Sequence, residues 1–276
     1  MKTILVPIDF SQPSENALEY AAKLASDWTA NLILLHVDSI PIYSNEYEVL
    51  SYTINDSLAT SKVLLQEKCN IIKQDNILIK DISYYAEVGD LQSTISEYVS
   101  KMGVDFIIMG ITGHATIIGE KFIGSNAIIV SRESKVPVMI IPRNYKYKQI
   151  FNIAYASQYT EDISEHNSLL QMKYICSLFS ANLFVLHVIA DNHLMDELDG
   201  KADLFIENKL QSTAHRTFIL TNTNTSKALL DFIDSLKVDI IVIEQKSHSF
   251  FYNLFYPSVT KEVVFNSSIP VLTISS

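Results

Sequence analysis

The chain is poor in basic residues: its 276 residues include 21 Lys and Arg against 31 Asp and Glu, which gives a formal net charge of -10. A surface of that sign repels phosphate backbones and anionic lipid headgroups, so nucleic-acid-binding and membrane-surface proteins are disfavoured. Cysteine is scarcer still, with only Cys69 and Cys176, far apart in sequence and outside any metal or redox spacing. We therefore expect two separate reduced thiols and no disulfide.

Long apolar runs and catalytic motifs are also missing. No apolar run approaches the roughly 18 residues that a membrane-spanning helix needs, and the apolar opening of the chain reaches Asp9 too early for a signal peptide. We therefore expect a cytoplasmic protein. The sequence has no Gly-x-Ser-x-Gly elbow, Walker A sequence, HExxH motif or paired-cysteine metal motif, so hydrolase, P-loop and metalloenzyme interpretations have no support.

Apolar residues, by contrast, are plentiful enough for a full core: 48% of the chain is hydrophobic and 19% is charged, which excludes a disordered protein. At about 100 to 200 residues per domain, the length predicts two domains. An internal repeat agrees, because three apolar segments recur in the same order. They are Ala30–Val37 with Ala181–Val188, Val104–Met109 with Val238–Ile243, and Val136–Ile141 with Ile269–Ile274. The offset falls from 151 to 134 between the first pair and the second, so the second copy is shorter within the part equivalent to 38–103.

The repeated segments do not alternate between apolar and polar residues, which is typical of strands covered on both faces of a parallel sheet. Helical patterns lie between them, near 14–26, 58–69 and 91–102, with an irregular, tyrosine-bearing loop expected before 58. We predict an α/β fold of two tandem doubly wound, Rossmann-like domains, 1–145 and 146–276, each with a mostly parallel five-stranded sheet. The predicted strands lie near 3–8, 32–37, 80–87, 104–109 and 136–141, then near 150–155, 183–188, 216–221, 238–243 and 270–274.

Glycine is rare but concentrated. Four of the seven glycines, Gly110, Gly113, Gly119 and Gly124, fall within fifteen residues after the predicted fourth strand, and Ser125 follows where a helix is expected to begin. A glycine-rich loop at the carboxyl end of a parallel strand lets backbone N–H groups approach phosphates. Turn glycines in a mobile loop would have the same composition, and the glycines alone do not separate the two interpretations.

Asp9 is the second candidate, because it follows the first predicted strand and would project into the same crevice. A carboxylate there can accept hydrogen bonds from ribose hydroxyls. An N-cap or turn residue ahead of the helix is the simpler explanation of an aspartate at that place, so the ribose interpretation depends on the glycines.

Together these residues resemble the universal stress protein family, in a tandem form that would cover nearly the whole chain. The resemblance is carried by Ile4–Ser11, Leu34–Val37, Asp105–Gly110, the Gly110-x-x-Gly113 pair and Gly124-Ser125. Members of the family that bind ATP have the pattern G-x2-G-x9-G-S/T after the fourth strand. The resemblance thus implies that the first domain binds ATP, with Mg²⁺ as a further candidate, in a pocket flanked by Pro7 and Met109.

The same resemblance assigns roles within that pocket. Asp9 would hold the ribose and the backbone of Val37 would meet the adenine. The phosphate cradle would consist of Gly110, Gly113, Gly124, Ser125 and the N–H of Asn126. One departure stands out, because ten residues separate Gly113 from Gly124 where the family pattern has nine. An insertion in a surface loop costs little closure entropy, so it bears on phosphate geometry more than on folding.

The second copy lacks these features. Glu244, Ser247 and Pro257 stand where the first copy has Gly110, Gly113 and Gly124, and the first strand of the second copy offers Ala156 and Ser157 in place of an aspartate. We therefore expect no nucleotide in the second domain, where Glu244 would also repel a triphosphate. Five aromatic residues within 250–256 occupy the loop position there and are expected to fill the core or a contact surface.

His36 and His187 share a repeat position, but neither has a partner at metal-ligand spacing, so we expect hydrogen-bonded structural histidines. Three functions remain open. The first is a stress-response or regulatory protein that binds an adenine nucleotide without robust catalysis, the second a non-nucleotide-binding interaction or scaffold protein with vestigial pockets, and the third a slow ATPase. The resemblance further implies an unidentified protein partner and a pseudo-dimer of the two halves through Lys135–Pro142 and Ser268–Ser275, and leaves a homodimer open.

Overall fold

The structure, a computed structural model, describes residues 2–39, 47–76, 78–111, 117–118, 121–122, 125–157, 163–190, 200–245 and 257–275. The chain consists of two compact units, Met1–Ile111 with Ile123–Tyr147, and Thr112–Phe122 with Lys148–Ser276. Each unit contains a five-stranded parallel sheet with helical crossovers, as the sequence predicts.

The sheet of the first unit contains the strands β1 (Thr3–Pro7), β2 (Asn31–Asp38), β3 (Asp81–Val88), β4 (Phe106–Ile111) and β7 (Val138–Pro142). Their order in the sheet is β7-β4-β1-β2-β3. The helices are α1 (Gln12–Asp27), α2 (Tyr47–Asp75), α3 (Leu91–Met102) and α4 (Ser125–Glu133). The two-residue strands β5 (Ile117–Ile118) and β6 (Lys121–Phe122) lie between β4 and α4 in sequence, form an antiparallel pair, and belong to the second unit.

The sheet of the second unit contains the strands β8 (Asn152–Ala156), β9 (Asn182–Ile189), β10 (His215–Thr221), β11 (Ile240–Gln245) and β12 (Val271–Ser275). Their order, β10-β9-β8-β11-β12, repeats the topology of the first unit. Its helices are α5 (Ile163–Phe179), α6 (Gly200–Lys209), α7 (Thr225–Ser235) and α8 (Pro257–Asn266). The ten predicted strands are all present, displaced from the predicted bounds by one or two residues, so the predicted fold class is confirmed.

Helix α2 is the main correction in the first unit, because it runs over Tyr47–Asp75 where the sequence predicts an irregular loop followed by a helix at 58–69. Leu65, Cys69 and Ile72 form the buried stripe of this helix. The part of α2 ahead of the predicted helix is 47–57. Tyrosine and β-branched residues lower the helix propensity of that first part and concealed the continuation.

Local capping fixes the ends of the helices beside the sheet. Ser11 caps α1 by accepting from the N–H of Ser14, and Asp90 caps α3 by accepting from the N–H of Ser93. Gly103 ends α3 at a φ of 61°, a left-handed conformation that glycine adopts without strain, which confirms the predicted helix bounds.

The central strands are covered on both faces, and every residue of β1 is buried. Cys69 and Cys176 are free thiols, as predicted, and the structure shows in addition that both are buried. In the part of the chain that the structure describes, no helix combines the length and the apolar character needed to cross a membrane.

Candidate functional site

The first sheet changes its winding direction between β1 and β4. From β1 the chain proceeds through β2 to β3 on one side, whereas β4 and β7 lie on the other. Helical crossovers on opposite sides of such a point leave a crevice at the carboxyl ends of the two strands, where open α/β sheets bind ligands. Asp9 follows β1 and Gly110 lies near the end of β4, so the fold brings these two predicted site residues to the crevice.

Asp9 is exposed and belongs to a tight turn that leads into α1. Its Oδ1 accepts from the N–H of Ser11 at 3.0 Å and from the hydroxyl of Ser11 at 2.5 Å. Partial burial alone would raise the pKa of Asp9, but hydrogen bonds from Ser11 and Ser14 outweigh it and hold that pKa below its ordinary value. The carboxylate is therefore ionised at neutral pH and can accept further hydrogen bonds.

The residue between Asp9 and Ser11 has an unusual backbone. Phe10 adopts a φ of 59°, which is uncommon for a residue with a side chain. Its ring packs against the ring of His36, with 4.9 Å between centroids. Strained backbone of this kind is often found at binding sites, and the sequence alone did not single out Phe10.

His36 ties the end of β1 to β2 and α2. Its Nδ1 donates to the carbonyl oxygen of Ile8 at 2.7 Å, and its Nε2 lies 3.1 Å from Oδ1 of Asp38. The hydroxyl of Ser57, on α2, donates to the other oxygen of Asp38 at 2.9 Å. The prediction of a hydrogen-bonded structural histidine is confirmed, while the contribution of Asp38 and Ser57 was missed.

The remaining predicted residues divide between buried and accessible positions. Pro7 and Met109 are buried within their strands, and Val37 is half-buried in β2 opposite Glu87 of β3. The parallel register of β1 and β2 places Thr3 to Pro7 opposite residues 31 to 35. Continued by two residues beyond the Pro7–Leu35 pair, this register brings Val37 level with Asp9. Backbone groups of β2 and the carboxylate of Asp9 therefore face the same level of the crevice.

Gly110 has a structural reason to be glycine. A Cβ at this position would lie 2.0 Å from the carbonyl oxygen and 2.4 Å from the carbonyl carbon of Pro13. The first turn of α1 packs directly onto the end of β4, and no side chain fits between them. Gly113 and Gly124, the other predicted cradle glycines, are outside the described residues; Ser125 begins α4, and Asn126 is exposed in its first turn.

The corresponding position in the second unit carries Glu244, which is 5% exposed. The hydroxyl of Tyr155 lies 3.4 Å from Glu244 Oε2 and 3.5 Å from Glu165 Oε2. The hydroxyl of Ser157 donates to Glu165 Oε1 at 2.5 Å. Burial and the two carboxylates raise the pKa of Tyr155 well above its ordinary value, so its hydroxyl stays protonated and available as a donor.

The sheet register corrects one residue match between the copies. Ser157 N–H donates to Leu186 O as Ile8 N–H donates to Leu35 O, and His187 approaches Ser157 O as His36 approaches Ile8 O. Ser157 is thus equivalent to Ile8, and the residue equivalent to Asp9 is not Ala156 or Ser157. It is Gln158, outside the described residues and again not an aspartate.

No group of three or more His, Cys, Asp or Glu side chains suited to a metal ion is found among the residues with described positions. The aromatic segment 250–256 falls outside them, so its expected role in core filling stays a prediction.

The chain is similar to known proteins in sequence and in fold. A sequence model of the Universal stress protein family matches residues 1–142. Universal stress protein Slr1230 of Synechocystis sp. is 23% identical over 295 aligned residues that cover 99% of both chains. Universal stress protein A homolog 1 of Coxiella burnetii is 24% identical over 144 residues, covering 51% of this chain and 95% of its own.

Among solved structures, the crystal structure of a universal stress protein from Archaeoglobus fulgidus DSM 4304 superposes with a TM-score of 0.72 at 18% identity. The superposition covers 99% of this chain and 96% of that one, so the likeness extends over both copies of the fold. The family model matches the first half of the chain, and the similarity to Slr1230 and to the Archaeoglobus fulgidus structure extends over 99% of it. The chain therefore belongs to the universal stress protein family, in its tandem two-domain form.

Proposed function

We propose that the first unit binds an adenine nucleotide, ATP, in the crevice between β1 and β4, and that the protein is a regulatory stress-response protein without robust catalysis. The observation that carries this proposal is the exposed Asp9 carboxylate at the point where the sheet changes winding direction. An ionised carboxylate there is suited to accept from two ribose hydroxyls.

The other parts of the crevice suit the rest of the nucleotide. Backbone groups at Val37 lie level with Asp9 and are available to the adenine edge. The first turn of α4 offers the N–H groups of Ser125 and Asn126, and the first N–H groups of a helix have no partner within it and attract anions. Mg²⁺, if bound, would be carried by the phosphates. Since we assign no general base, binding and not turnover is the proposed activity.

We also propose that the second unit binds no nucleotide in this way. Glu244 replaces Gly110 and is buried with Glu165 and Tyr155 at the equivalent switch point. A buried carboxylate there both occupies space and opposes a polyphosphate.

Isothermal titration of nucleotide-stripped protein with ATP and Mg²⁺ tests the proposal. We expect about one site per chain, lost in Asp9→Ala. The matched control is Asp81→Ala, since Asp81 is also exposed but begins β3 at the opposite edge of the sheet. Binding that persists in Asp9→Ala, or is lost equally in Asp81→Ala, would contradict the assignment of the site.

The packing of Gly110 against Pro13 favours a second candidate, an interaction or scaffold protein with vestigial pockets, because helix packing alone accounts for that glycine. If this candidate is correct, titration with ATP produces no binding heat and no nucleotide co-purifies with the protein. The same sample should have the circular dichroism spectrum of a folded protein. A measurable heat of ATP binding, with a stoichiometry near one nucleotide per chain, would exclude this candidate.

A further inference from the structure

The imidazole of His36 contacts the residue before Asp9 and the residue after it. On one side, Nδ1 of His36 donates to the carbonyl oxygen of Ile8 at 2.7 Å. That carbonyl belongs to the peptide group that joins Ile8 to Asp9, so the hydrogen bond fixes the plane in which the chain enters Asp9. On the other side, the ring of Phe10 packs against the imidazole, with 4.9 Å between centroids. A single side chain therefore holds both ends of the Asp9 backbone.

The turn at Asp9 needs such contacts because part of its backbone is strained. Phe10 has a φ of 59°, and a residue with a side chain keeps this conformation only where its surroundings hold it. The N–H of Ile8 still donates to the carbonyl oxygen of Leu35 at 2.9 Å, as in a parallel sheet. The carbonyl of Ile8 is bound by the histidine side chain instead. His36 thus takes over from the sheet at the residue where the turn begins.

Two further side chains keep the imidazole in this orientation. A carbonyl oxygen only accepts hydrogen bonds, so Nδ1 carries a hydrogen and Nε2 is the nitrogen that faces Asp38, 3.1 Å from its Oδ1. The other oxygen of Asp38 accepts from the hydroxyl of Ser57 on α2 at 2.9 Å. Rotation of the carboxylate would break one of these two contacts. A carboxylate on the second nitrogen fixes both the ring orientation and the tautomer of a histidine.

The second unit has the histidine without the carboxylate. At the offset of the repeat, His187 corresponds to His36, and Ile189, which is 5% exposed, stands where the carboxylate would be. Nδ1 of His187 lies 3.4 Å from the carbonyl oxygen of Ser157, against 2.7 Å for the equivalent contact of His36. The oriented imidazole with the shorter contact therefore occurs in the unit that has Asp9.

We propose that His36 is a positioning residue of the candidate nucleotide site: together with Asp38 and Ser57, it holds the Asp9 turn in the conformation that receives the ribose. This inference rests on the proposed function and goes further, because it assigns part of the ATP affinity to three side chains that need not touch the nucleotide. Asp9 makes the contact with the ligand, and His36 acts through Asp9.

Isothermal titration of the full chain with ATP and Mg²⁺ tests the inference with matched variants. His36→Leu should weaken ATP binding about tenfold or more, because it misplaces a carboxylate that accepts hydrogen bonds from the ligand. His36→Asn should recover most of the affinity, since its side-chain amide can donate to the carbonyl of Ile8 from the place of Nδ1. Asp38→Ile, which introduces the residue of the second unit, should give an intermediate loss. His187→Leu is the control and should leave ATP affinity unchanged.

A measurement without nucleotide separates this inference from the proposed function. Hydrogen bonds within the turn, from Ser11 and Ser14, hold the pKa of Asp9 below its ordinary value. Carboxyl-carbon NMR titration should show this pKa rising in His36→Leu and returning toward the wild-type value in His36→Asn. If these shifts occur but the wild type gives no heat with ATP, the proposed function is contradicted, while the positioning of Asp9 by His36 stands.

Three results would overturn the positioning role. They are wild-type ATP affinity in a folded His36→Leu variant, an equal loss of affinity in His187→Leu, and an Asp9 pKa that His36→Leu leaves unchanged. Circular dichroism and the thermal transition establish that each variant is folded. Should His36→Leu fail to fold, Asp38→Ile and Ser57→Ala, both at partly exposed positions, provide the same comparison.

Discussion

Gly110 lies directly against Pro13, so close that a Cβ on Gly110 would come within 2.0 Å of the Pro13 carbonyl oxygen. The obstructing atoms are backbone, and a change of rotamer cannot relieve the clash. The close approach places the first turn of α1, and with it the Asp9–Ser11 turn, over the end of β4. The glycine therefore shapes the crevice whether or not it contacts a ligand.

Gly110→Ala should lower the free energy of unfolding by about 1–3 kcal/mol, because overpacking forces backbone to move. Urea denaturation without nucleotide measures this cost. Gly200→Ala is the control, since nothing lies within 4 Å of a Cβ at Gly200. Equal stability of the two variants would show that α1 and β4 are not held at this distance.

Ser11→Ala should raise the pKa of Asp9, because burial then acts with fewer hydrogen bonds to oppose it. In the wild type, the lowered pKa stabilises the fold above the ordinary pKa of an aspartate, and this stabilisation is lost as the pH falls through the lowered value. Carboxyl-carbon NMR titration measures the shift. An unchanged pKa in Ser11→Ala would contradict the turn geometry.

The same substitution removes the N-cap of α1 and should cost about 1 kcal/mol of stability at neutral pH. Ser11→Asp, which keeps a capping oxygen, should recover most of that loss. Failure of Ser11→Asp to recover stability would indicate that the loss comes from elsewhere in the turn.

His187 should remain neutral at physiological pH. Burial lowers its pKa, against a smaller opposing effect of the hydrogen bond to Ser157. The unfolded chain takes up a proton below about 6.5, whereas the folded protein resists it, so stability should fall as the pH drops from about 6.5 toward the lowered pKa. His187→Gln should flatten this part of the stability profile, measured as thermal midpoints between pH 7 and pH 5.

Both thiols should be inert in the native protein. Burial raises the pKa of Cys176 to about 12 and that of Cys69 to about 11, with Lys73 opposing the shift at Cys69. At pH 8 both thiols are therefore almost entirely protonated, so iodoacetamide should modify Cys69 slowly and Cys176 more slowly still. Mass spectrometry resolves the two rates, and rapid labelling of both without denaturant would contradict the burial.

Apolar runs such as Leu32–Leu35 predicted the strands, because a parallel strand that is covered on both faces consists of consecutive apolar residues. Asp9 and Gly110 could be brought together from topology alone. The network of His36, Asp38 and Ser57 could not, because Ser57 reaches it from a helix whose first turns have low intrinsic propensity. From the sequence, the negative charge of Glu244 predicted that it would repel phosphate. Its burial against Tyr155 could be seen only in the folded structure.

The segment that follows β7 packs on α1, and this packing has a consequence for how a duplicated protein diverges. One copy absorbed the connecting segment into its own fold, with the rings of Tyr145 and Tyr147 against Tyr20 of α1, so a substitution there is tested against stability. In the second copy, α5 carries Gln171 at the position of Tyr20, and its side-chain amide donates to the carbonyl oxygen of Ser275 at 2.8 Å. A connection bound to one copy thereby puts the two copies under different constraints, and equivalent helix positions can diverge although the fold stays the same.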